Sequence, residues 1–240
     1  MDFEFTAIAT IRTPFRQKFA IPRQPNLVPE AEGTIVFASG FSDCNSLRAL
    51  DEFSHLWLVF VFHGVADQGW SPTVQPPRLG GKERVGVFAS RSPFRPNPIG
   101  LSVVRNLGYS NEQGRVELKV GGVDLLDHTP ILDIKPYVPY ADKVADASSG
   151  FAVGPPGHDL PVVFSDAANH MLASLGAEGT SLRKLIESVL HQDPRPAWRV
   201  KETDDKQYGM SLYHYNIKWR LAEGQIAVHE IRPSKDVERG

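Results

Sequence analysis

Residues 84–107 read RVGVFASRSPFRPNPIGLSVVRNL, two apolar stretches on either side of a loop stiffened by proline. Arg84 to Ser90 and Ile99 to Leu107 are rich in Val, Ile and Phe, which suit a pleated, half-buried strand. Between them, Arg91 to Gly100 holds three prolines and two arginines in ten residues. Each proline fixes φ, so ordering this loop on a ligand costs less entropy than ordering a free one. The pattern of strand, stiff loop and strand recurs in both directions. Further strands are expected at Phe3 to Arg12, Gly33 to Ala38, His55 to His63, Arg115 to Gly121 and Ile131 to Lys135. One helix is expected between Ala38 and His55, capped by Ser42 or Asp43 with Leu47 and Leu50 on one face. Many short strands without alternating helices do not make a doubly wound sheet, so residues 1–142 are expected to form a mainly β domain, with a closed barrel as its candidate architecture.

The composition changes between residues 143 and 160, where SSGFAVGPPGHD marks a linker. Residues 161–240 are expected to form a smaller α+β domain. Ser165 and Thr180 read as caps for helices over Asp166 to Leu175 and Ser181 to Gln192, the second ended by the DPRP segment from Asp193. Strands follow at Tyr208 to Tyr213, Ile217 to Leu221 and Gln225 to Ile231, the last two joined through Ala222-Glu223-Gly224.

Composition excludes several classes. The chain has 240 residues, 41% hydrophobic and 22% charged, values of an ordinary globular protein rather than a disordered, collagenous or membrane one. The longest apolar run, Leu56 to Phe62, is too short to span a bilayer, and the acidic start MDFEF lacks the basic character of a signal peptide. A single cysteine, Cys44, cannot form an internal disulfide, which points to the reducing cytoplasm and no membrane association. The net charge of −2 conceals two basic segments. Arg12, Arg16, Lys18 and Arg23 stand in an acid-free stretch, and six cations between Arg78 and Arg105 face only Glu83. Such runs are either solvated faces or, if they converge, a surface for a polyanion.

Common enzyme signatures are missing. There is no G-x-G-x-x-G after a strand, no P-loop and no G-x-S-x-G. The eight histidines show no metal-binding spacing, so no metal is expected.

The stiff polar loops IPRQP (Ile21 to Pro25), QPPRLGG (Gln75 to Gly81), RSPFRPNPIG and DLLDHTPILDIKPY (Asp124 to Tyr137) share one theme. With FSHLWLVFVFH between them, they occur in the order found in the TrmO or TsaA-like proteins, S-adenosylmethionine-dependent tRNA methyltransferases, which the chain resembles over nearly its whole length. QDPRPAWR and the aromatic strands after it look like the appended domain of the bacterial members. The resemblance implies a non-Rossmann β-barrel methyltransferase that works as a homodimer. Its substrate would be N6 of threonylcarbamoyladenosine beside the anticodon of a threonine tRNA. The cofactor contacts it implies fall on Pro22, Arg23, Gln24, His63, Gly64, Arg91, Leu101, Gly121, Gly122, Val123 and Asp124. The chain departs from the family in two places, with His128 where a DGTP turn has glycine and Gly64 where some relatives carry a polar side chain.

The residues themselves fit these roles and also fit plainer ones. Arg91 or Arg23 can pair with a carboxylate, Asp124 with a hydroxyl or ammonium, and Leu101 can wall an adenine. Gly121-Gly122 can admit a ligand or simply form a bulge, and Leu101 can be core. Asp124, Asp127 and His63 are the candidate bases, with turn, salt-bridge and structural roles as their alternatives. Arg12, Arg16, Lys18, Arg95 and Lys135 are expected to ring the site as a tRNA surface, with Arg195 and Arg199 as a clamp. Phe94 and Trp198 are candidate stacking aromatics. A non-catalytic RNA-binding or regulatory barrel would use the same basic loops without a sulfonium pocket.

Overall fold

A computed structural model describes residues 2–155, 160–195 and 206–234. Six strands close into an antiparallel barrel in the order β1-β2-β7-β6-β3-β8: β1 (Ala9–Arg12), β2 (Glu32–Phe37), β3 (His55–Val61), β6 (Ile99–Glu112), β7 (Arg115–Gly121) and β8 (Thr129–Pro136). Pairing of β1 with β8, Ile11 opposite Thr129, completes the ring and leaves no strand edge. The period-2 alternation explains the interior. Leu56, Leu58 and Phe60 of β3 point inward with Ile11, Ile35, Val104, Leu118 and Ile131, all buried. Trp57 on the other face of β3 is only partly buried, so this apolar strand feeds the core on one side and a surface cleft on the other.

Several boundaries differ from expectation. The first strand forms only from Ala9, and Phe3 and Phe5 stay 73% and 69% exposed because nothing packs over them. Arg84 to Ser90 is not a barrel strand. A two-residue bridge, β4 (Thr73–Val74) with β5 (Val85–Gly86), leads into a 3-10 turn at Val87–Ala89. β6 runs five residues past Leu107 through a bulge at Gly108, φ 92°, where the Asn106 side chain donates to Leu50 and Phe53 carbonyls and accepts from Gly108 N–H. The helix expected after Asp43 is instead a set of 3-10 turns. Asp43 does cap Cys44–Leu47, but Ala49 in the left-handed region, φ 64°, stops any continuous helix.

After α1 (Pro139–Asp142), residues 143–155 are almost wholly exposed and carry no regular element; residues 156–159 of the expected linker lie outside the described ones. The carboxyl-terminal part is a four-stranded sheet, β10-β11-β12-β9, covered by α2 (Asp166–Ser174) and α3 (Ala177–His191). Its strands are β9 (Val162–Phe164), β10 (Gln207–Leu212), β11 (Tyr215–Ala222) and β12 (Gln225–Pro233). Sequence reasoning missed β9, three residues that pair parallel with β12. Ser165 caps α2 by accepting from Ala168 N–H at 3.3 Å. Thr180 does not cap α3, which already begins at Ala177. Its hydroxyl donates back to the Gly176 carbonyl from inside the helix. The two parts share one apolar core, and Phe15 bridges Leu212 while Tyr213 N–H donates to the Pro14 carbonyl at 2.8 Å.

Candidate active site

One end of the barrel opens into a cleft of about 510 Å³ built by five segments. The end of β3 supplies Trp57, Phe60, Phe62, His63 and Gly64, and the start of β6 supplies Ile99 to Ser102. The loops around residues 18–24, 90–95 and 124–129 close the sides. Phe60 and Phe62 meet edge to face at 5.2 Å, giving an apolar wall. Gly100 lies directly opposite Phe60 in the strand pairing, where a Cβ would come within 2.3 Å of the ring. Only glycine leaves room for that aromatic to lie flat against the strand.

Asp124 follows β7 and turns its carboxyl onto the β6 wall, where Ser102 Oγ donates to Oδ1 at 2.7 Å. Burial pushes the Asp124 pKa up to about 6, with the Ser102 hydrogen bond and the positive Arg91 pulling the other way. A carboxyl so poised is mostly ionised at pH 7 yet can hold a proton. His63 contributes differently. Its Nδ1 lies 3.3 Å from Thr129 Oγ1, whose hydroxyl donates to the Leu126 carbonyl at 2.7 Å. Burial, with His128 and Lys18 nearby, holds the ring below its ordinary pKa, against a backbone bond to Val61, so it is neutral at pH 7.

Arg91 Nη1 donates to Gln24 Oε1 at 2.5 Å, joining the two proline-stiffened loops across the mouth. Arg23 beside it is solvent-exposed, yet partial loss of hydration weakens its hold on its proton, an effect that Asp193 opposes. Asp193 sits just past α3, and Gln192 Nε2 donates to the Leu27 carbonyl at 3.4 Å. The carboxyl-terminal part therefore braces the loop that carries Arg23.

Eight of the eleven expected cofactor positions line this cleft: Pro22, Arg23, Gln24, His63, Gly64, Arg91, Leu101 and Asp124. Gly121, Gly122 and Val123 do not. Gly122, φ 74°, passes close to Asn26 and accepts its backbone N–H at 2.8 Å, while Val123 is fully buried. Asp127 also faces away, accepting Thr13 N–H at 2.9 Å in a second cleft. Among the tRNA candidates, Lys18 and Arg95 line the first cleft, and Arg12 and Arg16 the second. Arg95 Nη1 is committed to the Ser90 and Val87 carbonyls. Lys135 lies outside both and pairs with Asp133 at 2.8 Å. Arg195, expected as a surface clamp, is instead 2% exposed with its guanidinium on Asp193 at 2.7 Å, because a desolvated cation needs a buried partner. Arg199 and Trp198 lie outside the described residues. Phe94 is 37% exposed but is not part of the cleft lining.

Sequence reasoning missed Ser102, Trp57, Phe60, Phe62 and Thr129. Ser102 had a signal, since it is the one polar side chain on the inward face of Gly100, Ser102 and Val104. Among the described residues no helix is long and apolar enough to cross a membrane.

Comparison with known proteins places this arrangement among relatives. The family model for the tRNA-methyltransferase O N-terminal domain matches residues 10–143, and that for the TrmO C-terminal domain matches residues 157–234. The chain is similar to a tRNA (adenine(37)-N6)-methyltransferase of Escherichia coli K12, 43% identical over 97% of this chain and 99% of the relative. It is 45% identical to a putative S-adenosylmethionine-dependent methyltransferase of Pseudomonas aeruginosa, over 91% of this chain and 93% of that one. The crystal structure of TrmO from Pseudomonas aeruginosa superposes with a TM-score of 0.79 at 39% identity, covering 97% of this chain and 99% of the other.

Proposed function

The chain belongs to the tRNA-methyltransferase O family, and from that premise we propose that it methylates N6 of threonylcarbamoyladenosine at position 37 of a threonine tRNA. It is an S-adenosylmethionine-dependent tRNA adenine-N6 methyltransferase. The observation that carries the finer reading is that one cleft joins an aromatic wall, the Arg91–Gln24 pair and the Asp124 carboxyl. Its volume of about 510 Å³ and its mix of apolar lining with few polar groups suit a cofactor of this size. Arg91 is set to hold a carboxylate, the Phe60, Phe62 and Leu101 surface an adenine, and Pro22 to Gln24 with Gly64 frame the entrance. When bound, the cofactor supplies an electrophilic methyl on a sulfonium.

The chain's own residues supply alignment and a proton acceptor. Transfer is in line, so holding three atoms straight dominates and is worth about 7–11 kcal/mol of barrier. The acceptor nitrogen is acylated, its lone pair drawn into a carbonyl, so removing its proton helps. Asp124 Oδ takes that proton, and His63, neutral and tied to Thr129, orients polar groups of the substrate. Asp127 faces the other cleft and has no part in this step. In this reading residues 1–142 are the catalytic domain, 143–160 the linker and 161–240 a supporting domain. In this reading the enzyme acts as a cytoplasmic homodimer.

Mass spectrometry of tRNA nucleosides from cells lacking the gene tests the function. The expected result is threonylcarbamoyladenosine without its N6-methyl, restored by the wild-type gene. An unchanged methylated nucleoside overturns it. Arg91→Lys probes the cofactor clamp, because a lysine cannot donate to Gln24 and to a carboxylate with one fixed fork. S-adenosylmethionine affinity by calorimetry should fall about tenfold, in line with loss of one charge-assisted bond, while the melting temperature stays unchanged.

A further inference from the structure

We propose that the second cleft, between the barrel wall and the β10–β11 hairpin turn, binds the sugar-phosphate backbone of the substrate RNA, with Tyr213 stacking on an unpaired base. This deepens the tRNA reading above and rests on it. The cleft measures about 440 Å³. Its floor is a row across three neighbouring strands, since Arg12 pairs with Thr34 and Thr34 with Lys119. The inward neighbours Ile11, Ile35 and Leu118 are buried, which puts Arg12 and Lys119 on the outside, where both are exposed. Arg16 adds a third cation from the loop beyond β1.

None of these three cations is paired with a carboxylate among the described residues. The cleft's two acids are Glu32 and Asp127, and Asp127 is already engaged by Thr13 N–H and, at 3.5 Å, by His128 Nε2. Strand spacing spreads Arg12 and Lys119 over about 10 Å, which matches an extended polyanion better than one small anion.

The far wall is formed by the β10–β11 turn. Tyr213 adopts φ 52°, a left-handed conformation that is unfavourable for a bulky side chain, and is 40% exposed. Its N–H donates to the Pro14 carbonyl, so the strained turn is locked to the β1 loop. The conformation is that of the first residue of a two-residue hairpin turn, as at Gln113 and Glu223, and it leaves the Tyr213 ring on the cleft wall, open to a stacking partner. The turn 124–129 separates the two clefts: Leu126 and Thr129 line the first, Asp127 and His128 the second. A strand of RNA crossing at His128 reaches both.

The test uses full-length protein and a fluorescein-labelled anticodon stem-loop of threonine tRNA, with affinity read by anisotropy at several salt concentrations. Arg12→Glu and Lys119→Glu are each expected to weaken binding about fivefold and to flatten the salt dependence by about one phosphate contact. Tyr213→Gly relieves the left-handed strain, so its melting temperature should hold or rise while RNA affinity falls about fivefold or more, the loss of one stacked base. S-adenosylmethionine binding should be unchanged in all three. Wild-type binding that the variants retain in full would overturn this cleft alone. A wild-type protein that binds no RNA would overturn both this site and the tRNA reading.

Discussion

Asp124→Asn is expected to slow methyl transfer by about 10²- to 10⁴-fold, the usual contribution of a positioned base, while making the folded protein more stable above pH 6. Both effects have one cause. The carboxyl sits against the β6 wall with Ser102 as its close partner, and burial has raised its pKa to about 6. A carboxyl whose folded pKa lies above its unfolded value binds more protons in the native state across that interval. Its favourable contribution is therefore complete below the ordinary carboxylate range and is lost as pH rises through about 6. Above that, the wild-type chain buries a charge that the amide does not have. Melting curves should place Asp124→Asn above wild type at pH 8 and level with it near pH 3.

Activity should run the other way. Wild-type single-turnover rates should climb with pH through about 6 and then level, as the base becomes ionised. The Asn variant should lack that limb. Ser102→Ala removes a hydrogen bond that favours the charged form, so its limb should move to higher pH with a smaller loss of plateau rate. A purely structural Asp124 would give a variant whose residual rate keeps the wild-type pH profile, and that result would exclude it as the base.

Much of this site could be read from the chain because proline and glycine act locally. The segments IPRQP and RSPFRPNPIG fix their own shape, so Gln24 and Arg91 were legible as loop residues, and they meet at 2.5 Å. The barrel was legible from strand periodicity, since β7 (Arg115–Gly121) begins and ends where its pattern does. What was not legible depends on distant partners. Arg195 reads as one more surface cation until Asp193 and the shared core enclose it. Gly121-Gly122 read equally as a ligand-facing pair or a plain bulge, and the neighbours that fill the space beside them, Arg105 at Gly121 and Asn26 at Gly122, are remote in sequence. The turns after Asp43 look helical by spacing, and a single left-handed residue, Ala49, decides otherwise. Tyr213 carried no local signal, because its importance comes from the Pro14 contact across the two parts of the chain.

Gly100→Ala is expected to weaken cofactor binding by about 5- to 150-fold with only a modest loss of fold stability. A Cβ at residue 100 would lie 2.3 Å from two carbons of the Phe60 ring, far inside contact distance. Something must move, and β6 is fixed by its pairing with β3 along its whole shared length. The ring is the freer element. Phe60 is 3% exposed and lines the cleft beside Phe62, so the open side available to it is the cleft itself. Overpacking of this kind costs about 1–3 kcal/mol. If the ring relaxes into empty space, that energy reappears when a ligand drives it back, and the same 1–3 kcal/mol becomes the loss of affinity. The double variant Gly100→Ala/Phe60→Leu separates the two contributions. Leucine removes the flat ring that the new methyl strikes, so the double variant should bind S-adenosylmethionine more tightly than Gly100→Ala alone, giving a coupling energy of about 1 kcal/mol or more between contacting residues. Additive losses in calorimetry would mean that residue 100 acts on the cofactor through something other than the Phe60 ring.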